Sequence, residues 1–126
     1  MPPRVARPAL QLAVVATLLA GLAACITTTR SGSALTAGTQ ATIEGRLTSI
    51  DTAPWAYDGN AVLAVATQAH GIVAVHLPAR WNLCLAPAVD VQALAIGDDV
   101  RATGSVGAEG ELVVCERAEH GVREVE

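Results

Sequence analysis

The chain has 126 residues, with eight basic and twelve acidic side chains for a formal charge of −4. It is 52% hydrophobic but only 2% aromatic, and it contains neither lysine nor phenylalanine. That length bounds a single small domain with a thin core, and an acidic body does not attract phosphate backbones.

The amino-terminal residues carry Arg4 and Arg7, and no acid precedes Glu44. An apolar stretch follows from Leu12 to Ala24, interrupted by Thr17 and Gly21. A basic start, a short apolar run and small residues at its exit are the parts of an export signal. The stretch falls short of the roughly 20 apolar residues that a membrane-spanning helix needs.

The exit, Leu22-Ala23-Ala24-Cys25, resembles the lipobox of bacterial lipoproteins. That resemblance covers residues 1–25. It implies cleavage of residues 1–24 and acylation of Cys25, so that acyl chains (palmitate among them) hold the protein to a membrane. Several chains, each contributing about 0.8 kcal/mol per buried CH2, make a stable anchor where one is marginal. The alternative is an ordinary signal peptide with a chance cysteine. Ile26 rather than Asp follows the cysteine. By analogy with lipoprotein sorting, this favours the outer membrane over the inner, with the head in the periplasm.

Residues 25–40, CITTTRSGSALTAGTQ, are rich in Ser, Thr and Gly and read as a lipidated cysteine on a flexible tether. The head is expected over residues 41–126. In ATIEGRLTSID, Ile43 and Leu47 fall on one side of a period-two strand, and Gly45 predicts a bend or bulge. TAPWAYDGN, from Thr52 to Asn60, is a loop. Ala61–Gln68 and Ile72–Leu77 read as a hairpin turning at Ala69-His70-Gly71. Between Ala79 and Ile96 the apolar residues are irregular, with a short helix capped by Asp90 and stopped at Gly97. GDDVRATGSV and ELVVCERA then predict a second hairpin.

Five strands with a helix between the third and fourth resemble the OB-fold, a small barrel of mainly β structure. Leu94-Ala95-Ile96-Gly97-Asp98-Asp99-Val100 is similar to the Gly-Asp stretch that precedes the fourth strand of such domains. The resemblance covers about residues 41–118, and a β-sandwich fragment is the rival architecture. With Cys25 lipidated, Cys84 and Cys115 remain as a pair in an oxidising compartment, and a disulfide is expected between them. Two buried free thiols are the alternative.

OB-folds often bind oligonucleotides or oligosaccharides, but fold alone does not transfer function. Single-strand binders need a positive groove and aromatic platforms. This body is acidic, so no nucleic-acid partner is expected. Trp55 and Tyr57 beside Asp58 and Asn60 can stack on a small ligand or glycan and bond its hydroxyls, or the rings can plug the barrel end. His70, His76 and His120 lack zinc-ligand spacing and read as surface or edge residues. No G-x-S-x-G elbow is present, and a bridge would consume both thiols. No catalytic residue, metal or cofactor is expected. The sequence points to a lipid-anchored envelope protein with an accessory or protein-interaction role, and second to a ligand or glycan module at Trp55–Asn60.

Overall fold

The computed structural model describes residues 33–126. The expected signal, the lipidation site Cys25 and the first part of the tether lie outside the described residues. Six strands form one sheet: β1 (Gln40–Asp51), β2 (Ala61–Thr67), β3 (Gly71–Leu77), β4 (Asp99–Val106), β5 (Leu112–Val113) and β6 (Gly121–Glu124). β1 pairs antiparallel with both β2 and β4, β3 pairs parallel with β5, and β5 pairs antiparallel with β4. These pairings close a five-stranded barrel of the expected OB-like kind. β6 adds outside the ring, on the edge of β4.

The alternation read from the sequence builds the core. Ile43 and Leu47 of β1, Leu63 and Val65 of β2, Val73, Val75 and Leu77 of β3, and Val100 and Ala102 of β4 all point inward and are buried. Fully burying one such Val or Leu side chain contributes about 1.5–3 kcal/mol. The small residues set how closely strands cross. A Cβ on Gly45 would collide with the Ala66 carbonyl, and one on Gly104 with the Val113 carbonyl. The register irregularity of β1 falls between Leu47 and Ser49, a few residues beyond the bend expected at Gly45. Gly45 instead permits the backbone contact that lets one strand serve two neighbours.

Three features depart from the sequence reading. The helical connection is two separate single 3-10 turns, Trp81–Leu83 and Val91–Ala93. Asp90 does cap the second, its carboxylate accepting from the Gln92 N–H at 3.1 Å. The second turn ends where Leu94 becomes extended (ψ 143°), and Gly97 follows in the left-handed region at φ +101°. The fifth strand is also short. The chain leaves β4 after Val113, and Cys115 lies just beyond the strand instead of within it. Finally, the sequence pattern assigns no strand after Ala118, yet these residues do not stay apart from the sheet. They return as β6, and Val122 packs against the core.

The barrel has two distinct ends. β3 runs for about 20 Å from the β2–β3 turn to Leu77. At the turn, the His70 Nδ1 lies 2.7 Å from the Ser33 carbonyl. Leu35 packs against the core, and the Gly38 N–H donates to the Val106 carbonyl at 2.9 Å. The amino-terminal segment thus enters at the turn end. The other end carries residues 52–60 and the start of the long connection of residues 78–98, whose last residues return along the barrel to bond Leu47 of β1 through Gly97 and Asp98.

Candidate functional site

The far end is built around the bond between Cys84 and Cys115, which joins residues 31 positions apart. The expected disulfide is present. The N–H groups of Leu85 and Ala86 both donate to the Cys115 carbonyl at 3.0 Å. Together these contacts fasten a connection whose regular structure amounts to two short turns.

Residues Ala53–Tyr57 form a 3-10 turn, and Asp58 follows in the left-handed region at φ 64°. This turn brings Trp55 down onto the barrel. Its indole N–H donates to the Leu77 carbonyl at 2.9 Å, and its ring is half-buried against the core. Tyr57 points the other way and is 88% exposed. The Asp58 carboxylate accepts from the Arg80 guanidinium at 2.9 Å. The Asn60 amide lies 3.2 Å from the His76 Nδ1. The four residues expected to hold a ligand therefore do not converge on one point: Trp55 is a wall, Tyr57 is free, and Asp58 and Asn60 are engaged within the fold.

What the sequence reading missed is the partner of that wall. Trp81, on the first 3-10 turn, is 57% exposed, and a groove of about 410 Å³ lies between it and Trp55. Leu77, Cys84, Ala86 and Val114 contribute to its lining, with Pro78 and Pro87 also present. Beside it, Leu83 and Leu85 are 73% and 75% exposed. An apolar alternation Trp81-Leu83-Leu85 between two prolines was the available signal. It reads as irregular because no strand partner explains it.

A larger, more open cleft of about 790 Å³ lies at the turn end, between β1, β4 and the β2–β3 turn. Its charges are spent on one another. The Arg101 Nε donates to Glu44 at 2.8 Å, and Arg46 lies 3.9 Å from Asp99. Exposed pairs of this kind leave little unmet demand for a ligand, so the apolar groove is the better candidate despite its smaller size.

The histidines separate. His70 and His76 are tied to Ser33 and Asn60 as described. His120, expected at the surface or an edge, is 1% exposed, and neither ring nitrogen has a hydrogen-bond partner among the described residues. The return of β6 folds it inward, which its charged sequence neighbours Arg117 and Glu119 concealed. Among the described residues no three His, Cys, Asp or Glu side chains are grouped to hold a metal.

Barrel, staple and groove together define a small OB-like β-barrel domain with an apolar groove at one end. No family matches the chain, and no curated protein matches it. Among solved structures it is similar to the OBody AM1L10 bound to hen egg-white lysozyme, at 19% identity and a TM-score of 0.47. That match covers 71% of this chain and 83% of the OBody chain.

Proposed function

We propose that this protein is a lipid-anchored bacterial envelope lipoprotein whose head acts as a non-catalytic accessory or protein-interaction module. The observation that carries the reading is the display of Trp81, Leu83 and Leu85 in solvent at the end opposite the β2–β3 turn. Contiguous exposed apolar side chains mark interaction sites, and tryptophan is enriched where binding energy concentrates. Covering one leucine contributes about 1.5–3 kcal/mol.

Other features support it. Both thiols of the head are bonded to each other. The outward face of β2 and β3 pairs Val62 with His76, Ala64 with Ala74 and Ala66 with Ile72. Its one ring is the His76 imidazole, already tied to Asn60, and it carries no Arg, Lys, Trp or Tyr, so it offers bases little platform and phosphates no fixed counter-charge. The lipobox-like residues before Cys25 support an anchor on the acyl chains, with the outer membrane as its expected site.

The second reading, a small ligand or glycan at Trp55–Asn60, rests on the exposed ring of Tyr57 next to the groove. It has weaker support, because a sugar needs several free convergent polar groups and Asp58 and Asn60 already have partners.

The test is the intact mass and membrane fractionation of the exported chain beside a Cys25→Ser variant. The expected mass is that of residues 25–126 plus acyl groups, sedimenting with outer membrane, and the variant should lose both properties. An unacylated mass with a soluble distribution would remove the anchor from the account.

A further inference from the structure

We propose that the groove between Trp55 and Trp81 takes an extended, proline-containing peptide segment flanked by basic side chains. This rests on the interaction reading above and names the chemistry of the partner.

The lining argues for the peptide class. Both indoles line the groove, together with the apolar side chains of Leu77, Ala86 and Val114. Many of its donors are spent: the N–H groups of Cys84, Ala86 and Val114 bond to Trp81, Cys115 and His76, the Trp55 indole N–H bonds to Leu77, and Pro78 and Pro87 have none. The lining N–H groups left over, as at Ala79 and Ala88, lie outside any strand, so the groove presents no strand edge for a sheet to extend. It suits a ligand that brings apolar faces and needs few hydrogen bonds. A polyproline II segment is such a ligand, since its backbone is solvated on all sides, and aromatic-lined grooves are the usual way it is bound.

The charge argues for basic flanks. Residues 33–126 hold five arginines against twelve carboxylates, a formal charge of −7. At the groove itself, Asp58 is matched by Arg80. Asp90 directly follows the lining residue Val89, and its carboxylate has only the Gln92 N–H for company. An arginine or lysine beside the proline core would meet Asp90 and could exchange with Arg80 for Asp58. The same charge disfavours an anionic lipid surface as the occupant. Position disfavours it too. Ser33 is held at the β2–β3 turn, so an anchor at Cys25 would attach at the end opposite the groove.

The test uses the two tryptophans, which are the only ones in the chain and both line the groove. The full exported chain in phosphatidylcholine nanodiscs is titrated with the peptide Arg-Pro-Leu-Pro-Pro-Leu-Pro-Arg. Tryptophan emission and titration calorimetry are followed together. The expected result is a saturable blue shift. Affinity should fall at least tenfold when the arginines are replaced by glutamates, and at least fivefold when alanines replace the prolines. Asp90→Asn should weaken binding about threefold and flatten its salt dependence. Trp81→Ala should abolish binding by calorimetry, and Ile72→Ser, on the distant β3 face, should leave it unchanged.

A shift with maltotriose or with anionic vesicles, and none with the peptide, overturns the proposal. So does equal binding of the arginine and glutamate peptides. If none of these probes binds while a photo-reactive residue at position 83 still joins an envelope protein in cells, the peptide class falls and the interaction reading stands.

Discussion

The two ends of this barrel are held by different means. The turn end is fastened by hydrogen bonds: His70 to Ser33, the Thr67 hydroxyl to the Gly71 carbonyl at 2.8 Å, and Gly38 to Val106. From the far end starts a 21-residue connection, numbered 78–98, with little regular structure and several apolar side chains in solvent. There the covalent bond between Cys84 and Cys115 takes over. A loop whose apolar side chains stand in solvent is not held by burying them. A disulfide constrains the chain without covering anything, so stability and display become compatible.

Breaking the staple should have the largest effect. The paired change Cys84→Ala with Cys115→Ala is expected to lower stability in urea unfolding by about 3–4 kcal/mol. Amide exchange should accelerate over residues 78–98 and 114–120, and the β2–β3 turn should keep its protection. Uniform acceleration would mean that the two ends are not independent.

Next in size is the barrel body that separates them. Gly104→Ala places a Cβ against the Val113 carbonyl and should cost about 1–3 kcal/mol. Replacing the unbonded His120 with leucine should leave stability unchanged or raise it by about 1 kcal/mol, since an unsatisfied buried group is removed. A clear loss would show that the imidazole has a partner in solution.

The turn end should respond less to a single deletion. His70→Ala is expected to cost about 0.5–1 kcal/mol by loss of the contact with Ser33. The smallest stability change should come from Leu83→Ser with Leu85→Ser. Both side chains are exposed, so the change should stay within about 0.5 kcal/mol. A larger loss would mean that these leucines pack in the head and are not displayed.

The same contrast governs what was legible in the sequence. The barrel could be read because period-two alternation is a direct consequence of strands with one buried face, as at Ile43 and Leu47 or Val73, Val75 and Leu77. The Cys84–Cys115 pair followed from parity and the expected compartment. The far end was less legible. Trp55 and Tyr57 stood out as aromatics, yet whether Trp55 is a wall or a reader depends on its bond to Leu77, twenty-two residues away. Trp81 reads as part of an irregular run, with no strand pattern to mark it as part of a site. β6 and the burial of His120 were hidden because Arg117, Glu119 and Arg123 make the tail look uniformly polar. Only the pairing of Gly121–Glu124 with β4 turns the chain inward.

The central claim is that the far end docks a protein while the turn end faces the anchor. The most direct measurement places a photo-reactive amino acid at Leu83 and, in a separate chain, at Gln68 beside the β2–β3 turn, and irradiates intact cells. The account predicts a discrete protein adduct from position 83 that disappears when Cys84 and Cys115 are both alanine, and none from position 68. No adduct at 83, or the same adduct from both positions, would contradict it.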